Sequence, residues 1–199
     1  MKSVLYSIQP WHVANILIGD KDLEIRLRIP RLKPPYKAYI YCTMGGAKKP
    51  VDYLYISSDG KPVFGSQENK AHCNGKVIAE FVCDYTKDFL WVENEYPYKG
   101  GEYAISDDEM ERTCLTYQQL CDYGDQRDLH GIHISELKVY DEPKPLDAFY
   151  KECAGLYNTG LCYECEMAVG EECDCATNGR VFLVRPPQSW CYVEELSYA

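Results

Sequence analysis

A chain of 199 residues, 46% hydrophobic and 26% charged, holds enough apolar side chain for one ordinary folded domain and too much for a disordered or fibrous protein. No apolar run approaches the roughly 18–20 residues of a membrane-spanning helix, and Met1-Lys2-Ser3 leads straight into an alternating pattern with no secretory apolar stretch, so no membrane partner and a cytoplasmic location are expected. The net charge of −10 is unevenly spread: residues 1–50 carry nine basic and three acidic side chains, a net +6, and the rest carry −16. This balance excludes a protein that coats nucleic acid unselectively, and it leaves one basic region able to hold a single phosphate or nucleotide.

Val4, Tyr6 and Ile8 alternate with Ser3, Leu5 and Ser7, which predicts a short strand partly covered on both faces. Pro10 sits where a helix would begin, because its missing N–H is no loss in a first turn. Trp11, Ala14 and Ile18 follow at helical spacing, Val13, Ile16 and Leu17 widen the buried stripe, and Gly19 is the stop. Leu23, Ile25, Leu27 and Ile29 then alternate strictly with Asp22, Glu24, Arg26 and Arg28, which predicts a half-buried strand with one fully charged face. Pro30, Pro34 and Pro35 end it, and Lys37–Cys42 resumes as a strand.

Residues 44–75 have no sustained period and read as an irregular excursion with a hairpin at Ser58-Asp59-Gly60. Val77–Cys83 is almost continuously apolar, as a central strand covered on both faces would be. Ser106 with Glu109 three residues later predicts a capping box, and Thr116–Tyr123 a second helix ending at Gly124. From Ile132 the apolar positions fall at 132 and 134, then 137 and 139, a one-residue slip that predicts a bulge near Ser135-Glu136. Pro143 and Pro145 close that run, and Leu146–Glu152 is expected as one short helix. Many short strands with few helices give an α+β class: a small mixed β-barrel with short flanking helices, over residues 1–150. A Cys-rich C-terminal excursion at 151–179 and a strand segment at 180–199 that returns to the barrel complete the chain.

Two constellations carry chemistry. Glu24, Arg26 and Arg28 project from one strand face with Lys21 at its mouth, which offers cations to a phosphate and a carboxylate to a base or sugar hydroxyl. The plain structural reading of the same pattern is a solvated face with weak cross-strand ion pairs. His133, on the strand face opposite Ile132 and Ile134, can point toward the same cleft or be satisfied within the barrel. The second constellation is Cys162-x-x-Cys165, then seven residues, then Cys173-x-Cys175, with Cys153 upstream as a possible substitute for one of the four. In a reducing compartment this spacing predicts a closed structural Zn2+ site without an open coordination position; free thiols are the alternative. Cys42 and Cys83 fall in strand patterns and are expected in the core, and no nucleophile elbow or phosphate-binding loop is present.

The segment Gly19-x-Lys21-x-x-Glu24-x-Arg26, preceded by Ser7-Ile8-Gln9-Pro10 and an amphipathic helix, resembles the ASCH domain, a PUA-like barrel. Gly75-Lys76-Val77-Ile78-Ala79-Glu80-Phe81 and Gly131-Ile132-His133-Ile134-Ser135-Glu136-Leu137 agree with it, and Arg185-Pro186-Pro187-Gln188-Ser189-Trp190-Cys191-Tyr192 is similar to the tail of a bacterial and phage subgroup. The resemblance implies a binding module that recognises RNA or a (modified) nucleotide in a cleft beside Gly19, Lys21, Glu24 and Arg26. One bacterial branch of the family removes the acetyl group of N4-acetylcytidine with the lysine and a threonine three residues later. Lys21 matches that lysine and Glu24 stands where the threonine would be, so the alternative of an amidohydrolase using Lys21 and Glu24 departs from the pattern at the nucleophile. A third reading is an interaction protein whose acidic surface engages a basic protein partner.

Overall fold

The computed structural model describes residues 2–45, 52–66, 71–95, 100–152 and 180–194. Strand β1 (Lys2–Ile8) leads into helix α1 (Pro10–Ile18), with Pro10 in its first turn and Gly19 at φ 86° closing it. Strands β2 (Leu23–Arg26), β3 (Tyr36–Cys42), β4 (Tyr53–Ile56), β5 (Pro62–Gly65), β6 (Lys76–Cys83), β7 (Thr86–Phe89), β8 (Trp91–Glu93) and β9 (Gly101–Tyr103) follow. Helices α2 (Asp107–Thr113) and α3 (Tyr117–Gly124) then precede β10 (Leu129–His133), β11 (Ser135–Lys144), β12 (Tyr150–Glu152), β13 (Arg180–Phe182) and β14 (Trp190–Glu194). Among the described residues no helix is long and apolar enough to cross a membrane.

Five strands form one sheet in the order β11-β6-β3-β1-β14, and three form a second in the order β2-β10-β7. Three two-stranded ladders, β4-β5, β8-β9 and β12-β13, decorate them. The expected barrel is therefore corrected: among the described residues the architecture is mixed α+β and the two main sheets do not close on each other. The reason lies in the apolar phase slip. Glu136 takes the left-handed region at φ 48°, and the register of β11 against β6 shifts between Ser135 and Lys138. This bulge turns the chain so that Leu129–His133 joins the small sheet and Ser135–Lys144 joins the large one, the corner by which a strand run changes sheets.

The core follows from the alternation. Val4, Tyr6 and Ile8 face one apolar cluster with Val13, Ile16, Ile40, Ile78 and Phe81, while Leu5 faces a second with Tyr39, Val77, Phe149 and Leu183. Strand β1 is thus covered on both faces, between β3 and β14. Leu23 and Ile25 of β2 enter a third cluster with Phe89, Tyr103, Leu120 and Leu129. Cys42 and Cys83 are buried, as their strand positions predict.

Three expectations are revised. The buried stripe of α1 is Pro10, Val13, Ala14 and Ile16, whereas Trp11 is 63% exposed and stacks on Phe64, and Ile18 is exposed as well. The short helix expected over Leu146–Glu152 is a single 3-10 turn, Leu146–Ala148, followed by β12, because Phe149 drops edge-on against Tyr39 in the core and the chain continues extended. Strand β2 is shorter than the alternation over residues 22–29, and all four of its residues are buried rather than half-buried. The hairpin at Ser58-Asp59-Gly60 is present, joining β4 to β5 with Gly60 at φ 80°. The Ser106–Glu109 capping box is formed in both directions.

Candidate functional site

The charged face of β2 is built by the chain reversal after α1. Gly19 caps the helix in the left-handed region, and the amides of Asp20 and Lys21 both donate to the Asn15 carbonyl, which turns Lys21 inward. The C-terminal end of α2 receives it: Lys21 Nζ donates to the carbonyls of Thr113 (2.7 Å) and Leu23 (2.8 Å) and lies 3.3 Å from Glu24 Oε2. Three acceptors thus surround an ammonium that has three donors. Two residues along from Glu24, Arg26 Nη2 sits 2.9 Å from Glu24 Oε1 and donates to the Ser7 carbonyl at 2.7 Å, while Nη1 lies 3.4 Å from Ser189 Oγ. Lys21, Glu24 and Arg26 are 2%, 7% and 8% exposed.

These three residues wall a cavity of about 540 Å³. Ser7, Gln9 and His12 close it from the β1–α1 junction, Thr43 and Gly45 from the end of β3, Gln119 and Tyr123 from α3, and Gln188 and Ser189 from the segment entering β14. Burial acts to raise the Glu24 carboxyl, but the Lys21 and Arg26 charges outweigh it and hold the group below the usual carboxylate range. His12 is driven the other way: burial lowers it, against the raising effect of Glu24, so its imidazole stays neutral more readily than usual. Among the described residues Arg26 Nε and His12 Nδ1 are buried without a hydrogen-bond partner. The Arg26 guanidinium also lies 5.8 Å from the Tyr6 ring, whose hydroxyl is 2.8 Å from that of Tyr36. The site therefore combines a clamped positive cluster, a carboxylate and several amide side chains in one recess, a set suited to a polar, partly anionic ligand with hydrogen-bonding edges.

Of the residues singled out in the sequence, Lys21, Glu24 and Arg26 meet here. Arg28 does not: it is exposed and lines a separate hollow of about 570 Å³ with Leu27, Ile29, Arg31, His130, Trp190 and Tyr192. His133 also lies apart, with Nδ1 2.5 Å from Asp84, Nε2 3.6 Å from Asp22 and its ring stacked on Tyr85 at 4.4 Å. His130 pairs with Asp88 at 2.6 Å. Cys153, Cys162, Cys165, Cys173 and Cys175 lie outside the described residues. Sequence reasoning missed His12, Gln9, Gln119 and Gln188 as wall residues. Gln9 stood inside the Ser7-Ile8-Gln9-Pro10 phrase and Gln188 inside the Arg-Pro-Pro-Gln-Ser-Trp phrase, whereas His12 and Gln119 carried no signal.

No protein-family model and no curated protein matches the sequence. Among solved structures, a tyrosine-to-phenylalanine variant of an ASCH protein from Zymomonas mobilis is similar at 17% identity, with a TM-score of 0.47, over 74% of this chain and 78% of that one. The ASCH protein itself gives 15% identity and a TM-score of 0.44 over 73% of this chain and 74% of that one. A serine-to-alanine variant gives 16%, 0.46, 73% and 75% respectively. The chain is similar to ASCH structures. The ASCH-like likeness spans about three quarters of its length.

Proposed function

We propose that the cavity behind β2 binds one nucleotide unit, as part of RNA or as a free nucleotide, plain or modified. The observation that carries this reading is the convergence of Lys21, Glu24 and Arg26 on a recess instead of on bulk water. Its volume of about 540 Å³ lies within the range of small-molecule sites, roughly 300–1,000 Å³. The Gln9, Gln119 and Gln188 amides supply paired donor and acceptor edges of the kind that read base edges, and Tyr123 supplies an aromatic face. Lys21 acts mainly as a clamp on Glu24, since its three donors already have acceptors, and Arg26 is the cation with a buried donor to spare.

The test is binding of the four ribonucleoside monophosphates to the native chain and to Gln188→Trp, a plug at an exposed wall position that leaves the ion cluster intact. Saturable binding to the native chain, weakened at least about tenfold by the plug at unchanged Tm, is the expected outcome, each factor of ten being about 1.4 kcal/mol. No saturable binding overturns the reading. The hydrolase alternative is tested in the same vessel with N4-acetylcytidine: conversion to cytidine supports it, and its absence at excess protein removes it. The wall hydroxyl of Ser7 donates to the Pro187 carbonyl at 2.7 Å and Glu24 is ion-paired, so neither is a poised nucleophile in this geometry.

The structural Zn2+ site is proposed on the spacing of Cys162, Cys165, Cys173 and Cys175, with Cys153 as substitute, alone. Native mass spectrometry is expected to find one zinc per chain, lost on thiol alkylation; a metal-free folded chain overturns it. A basic protein partner on the acidic surface is the remaining reading, and capture of such a partner without RNA cross-linking would favour it.

A further inference from the structure

We propose that the hollow beside the cavity, formed by Arg28, Arg31, Trp190 and Tyr192, is a second nucleotide subsite, so that the ligand is a single-stranded oligonucleotide threaded across both recesses and not a free nucleotide. The inference rests on the nucleotide reading of the first cavity. Its starting point is continuity. The chain leaving β2 and the chain entering β14 run side by side: Arg26 reaches Ser189 at 3.4 Å in the wall of the first cavity, and two residues on from Arg26 and one on from Ser189 the Trp190 indole N–H donates to the Arg28 carbonyl at 2.8 Å in the second. The two hollows thus lie on either side of the wall formed by residues 26–28 and 189–190, and a strand whose one base enters the first cavity can lay a following nucleotide on the second.

The chemistry of the hollow suits that neighbour. Arg28 and Arg31 are exposed, and among the described residues neither guanidinium meets a carboxylate. In a chain of net −10 an unneutralised arginine pair is a local exception, and two cations at a groove mouth favour phosphate over any neutral ligand. Trp190 and Tyr192 stand edge to face at 5.4 Å; the Trp190 indole N–H donates to the Arg28 carbonyl, and the Tyr192 hydroxyl oxygen accepts from the Arg31 amide at 2.8 Å. Both rings are half-buried against the core and Lys2 Nζ lies 5.7 Å from the centre of the Tyr192 ring, so what they offer a base is the outward part of their ring surface. Aromatic faces flanked by unpaired arginines are the elements by which single strands are held, stacking on the bases and charge on the backbone. His130, in the lining of the hollow, is paired with Asp88 at 2.6 Å.

The experiment compares a fluorescein-labelled pentaribonucleotide, random at every position, with the four ribonucleoside monophosphates, on the native chain and on an Arg28→Ala/Arg31→Ala double variant. Both side chains are exposed, and the Tyr192 bond is made to the Arg31 backbone, so the variant keeps its contacts and its Tm. The expected result is tighter binding of the pentamer than of any monophosphate by the native chain. In the variant, pentamer affinity falls about tenfold and the log–log salt slope by about 1.4, near 0.7 for each single-strand phosphate contact, while monophosphate affinity stays unchanged. An unchanged pentamer affinity or salt slope in the variant overturns the second subsite and leaves the first cavity standing. Failure of the native chain to bind either probe overturns the cavity reading, and the subsite with it.

Discussion

Glu24 supplies one negative charge between two buried cations, and that position decides both the shape and the stability of the site. With Glu24→Gln, Lys21 and Arg26 keep their places but lose the counter-charge, a change expected to cost about 3–5 kcal/mol, because a buried charge left unpaired is far costlier than an exposed one. The carboxyl is held below its ordinary range in the fold, so its contribution is fully present above the ordinary carboxylate range and is lost as pH falls through the depressed folded value. Urea midpoints measured from about pH 3 to pH 7 are expected to fall in acid for the native chain and to show a flatter acid limb for Glu24→Gln; parallel curves would contradict the role given to this carboxylate. Arg26→Lys keeps the charge and loses the fork that spans Glu24, Ser7 and Ser189, so nucleotide affinity is expected to weaken by about tenfold or more by titration calorimetry. The trio was legible in the sequence because strict alternation puts Glu24 and Arg26 on one face. That the face is buried was not, since the covering atoms come from Ser7, Thr113 and Ser189, which are distant in sequence.

The elements around the site are short and depend on their ends. Helix α2 contributes the Thr113 carbonyl to Lys21 and the Arg112 carbonyl to the Asp22 amide, and its start is fixed by the reciprocal Ser106–Glu109 cap. Ser106→Ala is expected to cost about 1 kcal/mol, a fall in Tm of about 2–4 °C by calorimetry, and no change in Tm would mean that packing alone holds the helix. This cap, the hairpin at Gly60, the helix after Pro10 and the bulge at Glu136 were all readable, because each is written in a few adjacent residues with a local physical cause. Strands β7, β8 and β9 were not readable. They run three or four residues and mix exposed side chains with single core residues such as Phe89 and Tyr103, so they leave no apolar period, and their pairing is fixed by Leu129–His133 and by each other. The 3-10 turn at Leu146–Ala148 was misread as a longer helix for a similar reason: the residue that ends it, Phe149, is drawn into a core that only the tertiary fold creates.

For the whole molecule, the sequence alternation implied strands in sufficient number for a barrel, and the structure divides them between a five-stranded and a three-stranded sheet. The dividing point was visible as a phase slip, but which sheet each half would join depends on partners far along the chain. The same division puts the basic N-terminal strands against the segment at 187–190, so the one positively charged region of an acidic chain borders a cavity. A footprint bounded in this way predicts shallow salt dependence, with few phosphates engaged and the acidic remainder repelling others. The most direct measurement is a two-dimensional amide NMR titration of the native chain with ribonucleoside monophosphates. The account expects saturable shifts centred on Ser7, Gln9, Glu24, Arg26, Gln188 and Ser189, the wall of the cavity. No shifts at millimolar nucleotide, or shifts confined to residues remote from that wall, would contradict it.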